Sequence, residues 1–394
     1  MTAPPLTLPV PDLSDGTLAA VTAQLSATAE HHDRTGAVPR AGLDVVHRAG
    51  LLTATVAARH GGPGAGDLDT ARILVALGEG DPSVALIVAN TLNVHRAQAA
   101  NAHWPPAAYA DLLRRSAQGP APANAVRAES ELGAPARGGL PATVARRTAD
   151  GWSLSGHKAY ATGGTALAYH LVWARADEPG GAPDAPRVGH VVVPADTPGI
   201  TWLDSWDHLG LRASNTHDVV YDGVTLGPDA FVEIPRVGGV YRDPAAATGP
   251  AGLGHGALYV GVARAARAAF VGYARGRVPA ALGRPIAETD RIATVAGEID
   301  AQVAQAETLL YGALLRTGTG DIAASAQLSL LKVQIARSAI AAVQTAVAAL
   351  GNAALTRHHP LERHLRDVLC VRVHPPQEDA ALLTAGRRLL AGTT

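Results

Sequence analysis

The chain has 394 residues, 47% hydrophobic and 17% charged, enough apolar material for a large core divided among one to three domains. Its 33 basic and 34 acidic side chains leave a net charge of −1, which gives no support for electrostatic nucleic-acid binding. The single cysteine, Cys370, excludes an intrachain disulfide and any multi-cysteine metal site.

The opening residues lack a basic segment followed by an apolar run, so no signal peptide is expected and a cytoplasmic protein fits best. Residues 12–118 read mostly as helices. Leu18, Val21, Leu25 and Ala29 lie at helical spacing, as do Leu43, Val46 and Ala49 before Gly50. Gly61, Gly62, Gly64 and Gly66 then form a loop, and Asp67 is expected to cap a helix through Ile73, Leu74 and Leu77. A further helix covers residues 83–100.

The period changes over residues 119–236. Short runs dense in Val and Leu, at 142–147, 152–156, 169–174, 188–193 and 219–224, are separated by Gly, Pro and Asp clusters. They predict a central β-barrel or sandwich. Helices return in residues 237–394, with long Ala-rich stretches at 258–272, 286–315 and 323–350. These suit a four-helix bundle whose apolar faces are often buried against another copy. Arg, Asp or Gln interrupts each stretch, so none reads as a membrane span. The fold class is therefore α+β, with an N-terminal helical domain at 1–118, a β domain at 119–236 and a helical bundle at 237–394.

Several motifs stand on this layout. Gly50-Leu51-Leu52 precedes Arg59-His60-Gly61-Gly62. The sequence Gly151-Trp152-Ser153-Leu154-Ser155-Gly156-His157-Lys158-Ala159-Tyr160-Ala161-Thr162-Gly163-Gly164 opens the β region. His208-Leu209-Gly210-Leu211-Arg212-Ala213-Ser214-Asn215-Thr216 follows, then Gly283-Arg284-Pro285-Ile286, and His359-Pro360-Leu361-Glu362-Arg363-His364-Leu365-Arg366-Asp367 near the end. In this order the chain resembles the acyl-CoA dehydrogenase superfamily over nearly its full length, with the flavin-dependent monooxygenase branch, the dibenzothiophene monooxygenases and related nitrogen hydroxylases, as its nearest part.

The resemblance implies a flavin, FMN or FAD, and a homotetramer. A flavin asks for hydrogen bonds at its pyrimidine edge and N5 and an apolar wall against the ring. Tyr160 can supply the wall, Thr162 can reach N5 or O4, and Gly163 and Gly164 permit close backbone approach. Tyr160 could equally be an ordinary strand aromatic, and the glycines a plain turn. By family analogy Asn124, Ala125 and Val126 lie by the pyrimidine side. Trp206 and Ser214 belong to the segment that covers the flavin, although Trp206 is as readily a core residue. Arg212 reads as a structural salt-bridge former.

The C-terminal part departs from the family. A Gly-Gly-X-Gly turn, approached by the adenosine of a neighbour's FAD, is replaced by Gly351-Asn352-Ala353-Ala354. Arg275 and Arg277 remain from the flavin-contacting loop, but Pro279 to Leu282 lengthens it. Gly351 and Arg277 are kept as cofactor contacts, with FMN at least as well suited as FAD.

In the dehydrogenases a glutamate follows the Arg-Asp of the C-terminal signature and removes the substrate α-proton. Here that position is Pro375, within Val371-Arg372-Val373-His374-Pro375-Pro376. The alternative site for the glutamate, around Pro250 to His255, contains no acid. Glu378 and Asp379 read as helix N-terminal acids. Oxygen chemistry needs no such base. In the monooxygenase branch a separate NAD(P)H–flavin reductase delivers reduced flavin, O2 adds to give a C4a-hydroperoxyflavin, and a histidine before a proline-containing loop stands where His374 does. His374 and Thr162 are thus the candidate catalytic residues for a small heteroatom-containing or aromatic substrate, although His374 could merely hold its loop. Asn90, Asn93, His95 and His255 are candidate pocket residues. His358 and His359 lack metal spacing, and no metal site or membrane partner is expected. The alternative activity is α,β-desaturation of an acyl-CoA with a displaced base.

Overall fold

The computed structural model describes residues 7–131, 140–181, 186–246 and 249–392. Helix α1 (Asp15–Thr35) starts at Ser14, whose hydroxyl accepts from the Thr17 amide, and buries the expected Leu18, Val21, Leu25 and Ala29. Helix α2 (Arg40–Arg48) buries Leu43 and Val46. Asp67 is the first residue of α3 (Asp67–Gly80) rather than its cap, and it pairs with Arg96 at 2.7 Å. An acid in a first turn is stabilised by the helix dipole without capping it. Asp81 does cap α4 (Pro82–Asn101), accepting from Ser83 and Val84. Helix α5 (Pro106–Gln118) completes this layer.

The β domain follows with β1 (Ala123–Val126), β2 (Val144–Arg147), β3 (Trp152–Ala161), β4 (Tyr169–Asp177), β5 (Val188–Pro194), β6 (Ile200–Leu203), β7 (His217–Leu226) and β8 (Phe231–Glu233). They form one eight-stranded sheet in the order β6-β7-β3-β2-β4-β5-β8, with β1 parallel to β4. Strand β4 is buried on both faces. Val172, Ala174 and Ala176 point into the sheet's own core, while Tyr169 and Leu171 pack with Tyr109, Leu112 and Leu113 of α5. Trp152 on β3 stacks on Phe231 of β8 at 4.8 Å although three strands lie between them in the ladder. The expected barrel or sandwich is therefore a single sheet curled over one core. Strand structure runs beyond residue 236, through the short hairpin β9 (Arg236–Val237) and β10 (Val240–Tyr241).

Helices α6 (Gly254–Gly276), α7 (Asp290–Gly318), α8 (Ile322–Leu350) and α10 (Pro360–Leu369) form the bundle, with α9 (Asn352–Leu355) in the turn and α11 (Glu378–Leu390) against α8. α7 begins later than its apolar pattern suggests because Thr289 caps it after a separate turn at Ile286–Glu288. α8 is long and apolar enough by composition to cross a membrane, but 56% of its apolar stretch is buried inside the protein, the character of a core bundle helix, in keeping with the expectation that it is not a span.

The N-terminal layer and the bundle meet at α3 and α6. A Cβ on Gly78 would stand 2.7 Å from the Leu258 carbonyl carbon, and Gly261 faces the backbone of Val75 and Gly78 in return. Two helix backbones approach here with nothing flexible to yield. Gly78→Val should therefore destabilise the protein by about 3 kcal/mol or more. A urea midpoint equal to that of the wild type would show that the contact is slack.

Candidate active site

The motif containing Tyr160 and Thr162 ends β3 beside β1. β3 bulges against β7 between Lys158 and Ala161, and Tyr160 takes a positive φ of 58°. Non-glycine residues seldom adopt that conformation, and it is often kept at functional sites. The Tyr160 ring is left 59% exposed, edge-on to His208 at 6.2 Å, and His208 stacks on Trp206 at 3.6 Å. Trp206 is fixed in turn by its indole N–H, which donates to the Leu211 carbonyl. The three rings make one aromatic wall.

Behind the wall runs a chain of buried hydroxyls. Ser214 and Thr216 are 2.7 Å apart, and Thr216 Oγ1 donates to Thr162 Oγ1 at 3.0 Å. Each hydroxyl has one proton, so a chain directed from Ser214 through Thr216 leaves the Thr162 proton unspent. Asn124 Nδ2 donates to the Thr162 carbonyl at 2.9 Å, and Gly163 N donates to the Ser214 carbonyl at 2.9 Å. The second bond requires Gly163 at φ 103°, where a side chain would strike Leu167. Val126 is different from the expectation in one respect: its side chain points into the sheet core, so only its backbone can face a ring. Ala125 is half-buried.

The segment from Trp206 to Ser214 is held from two sides. Arg366 on α10 pairs with Asp33 of α1 at 2.6 Å and donates to the Leu209 carbonyl, while Asp367 accepts the Leu211 amide at 2.7 Å. Burial pushes Asp367 up to about 7. Arg212 makes structural contacts, to Asp207 and the Asp33 carbonyl. The C-terminal signature thus holds the segment from Trp206 to Ser214 by its last two residues.

His374 and His255 come together although 119 positions apart in the chain. Their rings stack at 4.8 Å with an interplanar angle of 9°, and His374 Nε2 shares a 2.8 Å hydrogen bond with the Tyr259 hydroxyl. Burial, each other's proximity and the charge of Lys332 hold His374 well below the usual imidazole range, and burial pushes His255 down to about 4. Both rings are neutral at physiological pH, each with one donor and one acceptor nitrogen. Lys332, on α8, donates to the carbonyls of Val371, His374 and Pro376 at 3.1, 2.8 and 3.1 Å. Glu378 is engaged by Arg337 at 2.5 Å in the first turn of α11.

Other expected residues fall elsewhere. His95 is fully buried under Tyr109, with Nδ1 3.1 Å from its hydroxyl, so it belongs to the α4–α5 packing and not to a pocket. Asn90 and Asn93 are half-buried on α4, and neither amide has a partner among the described residues. Arg277 ends α6, the helix that begins beside His255, so about 33 Å of helix separates them. Gly351 ends α8, about 28 Å from Lys332 by the same rise. Arg277 accepts from Ile286, and Arg291 donates to Ala349, which brings both residues to the far end of the bundle. Both therefore stand far along the bundle from the His374–His255 pair.

Tyr259, Lys332, Thr216 and His208 were not singled out from sequence. His255 and Tyr259 share the i, i+4 face of α6. Lys158 and Lys332 are the chain's only lysines, and both are buried. A lone lysine in a long apolar helix was the available signal.

The residues present fit a flavin: an exposed aromatic wall, a hydroxyl with an uncommitted proton, and a free backbone edge at Asn124–Val126. Models of the acyl-CoA dehydrogenase N-terminal, middle and C-terminal domains match residues 12–102, 126–224 and 253–376. The Bacillus subtilis protein YdbM, designated an acyl-CoA dehydrogenase on a provisional basis, is 28% identical over 90% of this chain and 91% of its own. The L-evernosamine nitrososynthase of a Micromonospora species is 32% identical over 89% of this chain and 83% of its own. A solved structure of KijD3 with FMN and dTDP-3-amino-2,3,6-trideoxy-4-keto-3-methyl-D-glucose superposes with a TM-score of 0.77 at 27% identity, covering 100% of this chain and 97% of that one. With all three domains matched in order, the chain belongs to the acyl-CoA dehydrogenase superfamily.

Proposed function

We propose that this protein is a flavin-dependent monooxygenase that places one atom of O2 on a nucleophilic heteroatom, and that an amine nitrogen on a nucleotide-linked sugar is the foremost substrate class. The cofactor is a flavin. When bound in reduced form it supplies the two electrons that activate O2. The carrying observation is the make-up of the His374 site. Pro375 stands at the usual base position, and the groups bonded or stacked on His374 are a neutral imidazole and a phenol rather than a carboxylate. The nitrososynthase relatives and the amino sugar bound by KijD3 support nitrogen as the acceptor.

The balance is RNH2 + O2 + 2 e− + 2 H+ → RNHOH + H2O. A separate NAD(P)H–flavin reductase supplies the electrons. The protein's own residues bind, orient and move protons. Tyr160 with His208 and Trp206 covers one face of the ring. Thr162 donates its uncommitted proton to the ring's polar edge, and the Asn124 side chain fixes the Thr162 backbone. His374, kept neutral, holds or passes one proton beside the reacting oxygen, with Tyr259 fixing its orientation. Asn90 and Asn93 offer unpaired amides to substrate. The two losses in the adenosine turn favour FMN. In a homotetramer, Arg277 and Gly351, at the far end of the bundle from His374, would be placed to meet the flavin of another copy.

The test supplies the purified protein with FMN, a flavin reductase, NADH and a dTDP-linked amino sugar. Oxygen uptake should depend on the amine, and the product should gain the mass of one oxygen. In the parallel anaerobic experiment, bleaching of bound flavin by an acyl-CoA without reductase would reject this reading in favour of α,β-desaturation.

A further inference from the structure

We propose that Lys332 is a positioning residue for the oxygen-transfer site, its three hydrogen bonds to the loop carbonyls setting the ring of His374 against Tyr259 and His255. This rests on the monooxygenase reading for its consequence in turnover, though not for its geometry.

The loop after Cys370 has little means of holding itself. Pro375 and Pro376 have no N–H groups, so neither can donate a backbone hydrogen bond to hold the loop. Lys332 answers that deficit from outside. Its ammonium has three protons, and each goes to one carbonyl of this loop, at Val371, His374 and Pro376. The donor is mounted on α8, a 29-residue helix packed against α6 and α7, so the loop is referenced to the same bundle that carries His255 and Tyr259.

A purely structural explanation is expensive. Lys332 is 2% exposed, and among the described residues no carboxylate bonds its ammonium, Glu378 acting on it only through its charge. Burying a charge costs several kcal/mol by order of magnitude, about what well-packed Leu or Met would avoid. The position is occupied by one of only two lysines in a chain with 33 basic residues. The charge has a second effect on the same group: it opposes protonation of both His374 and His255. Geometry and charge therefore act on His374 together, and a methionine would supply neither.

The experiment compares wild type with Lys332→Met and Lys332→Gln. Glutamine keeps two donors, and it is the variant to read should the methionine variant fail to fold. The first reading uses flavin-free protein: carbethoxylation of His374 by diethyl pyrocarbonate, followed by peptide mass spectrometry. We expect the rate at His374 to rise about tenfold in Lys332→Met and less in Lys332→Gln, with His358 unchanged as an exposed control. The second reading is turnover with FMN, reductase and the amino sugar. Here kcat should fall about 10- to 100-fold in Lys332→Met, with more hydrogen peroxide per NADH and an unchanged KM for flavin. Wild-type labelling and coupling in a folded variant would overturn the proposal. If wild-type protein lacks amine-dependent oxygen uptake, the monooxygenase reading fails, while the labelling comparison still decides the positioning of His374.

Discussion

His374→Ala should retain flavin and yet lose most of its productive turnover, with the electrons leaving as hydrogen peroxide. His374 bonds to Tyr259 and stacks on His255, and none of these bonds reaches the hydroxyl chain of Ser214, Thr216 and Thr162. Flavin affinity is therefore carried by other residues. A correctly placed proton-transfer group is worth about 10²- to 10⁴-fold in rate, so product formation should fall within that range. Tyr259→Phe is the finer probe. It removes the hydroxyl that orients the imidazole but keeps the ring, and it should show the same loss of coupling at a smaller amplitude. The two variants can be compared by product per NADH oxidised at equal flavin occupancy. Full coupling in His374→Ala would remove this residue from the reaction.

The second large effect is acid unfolding. Burial pushes His95, His170 and His255 down to about 4, and His190 and His364 down to about 3. The unfolded chain takes protons on these groups near pH 6.5, whereas the folded protein does not until well below it. Their contribution is thus complete above pH 6.5 and is lost as the pH falls toward 4. At pH 5 each such group costs about 2 kcal/mol. Five of them acting together approach the roughly 5–15 kcal/mol of total stability typical of a folded protein. Asp367 works in the opposite sense. Its carboxyl, pushed up to about 7, stabilises the folded state as the pH falls below 7, but it is one group against five imidazoles. Far-UV circular dichroism from pH 7.5 to 4 should show cooperative unfolding centred near pH 5. A native spectrum at pH 4 would mean that these imidazoles are protonated in the folded state, with their charge accommodated there.

Much of the fold was readable because it rests on local patterns. The heptad-like spacing of Leu18, Val21, Leu25 and Ala29 and the dense β-branched runs report burial directly, since each element must bury a face. The aromatic and hydroxyl part of the candidate site was readable for a similar reason: Tyr160, Thr162 and Gly163 fall within four residues at a bulged strand end. Asp67 shows the limit at an element boundary, where an acid in the first turn and an acid at the cap look alike in sequence.

What the sequence could not supply was pairing at a distance. His95 and His255 were both candidate pocket residues. Packing sends one beneath Tyr109 and the other onto His374, and neither outcome leaves a local trace. Arg277 and Gly351 looked like ordinary cofactor contacts until the lengths of α6 and α8 placed them at the far end of the bundle. By itself, the sequence determined the helix–sheet–helix order, the family motif from Gly151 to Gly164 and the absence of an acid at position 375. Only the tertiary structure decided that a lysine from α8 and a tyrosine from α6 converge on His374, because hydrogen bonds between elements depend on how the helices pack and not on the residues beside them.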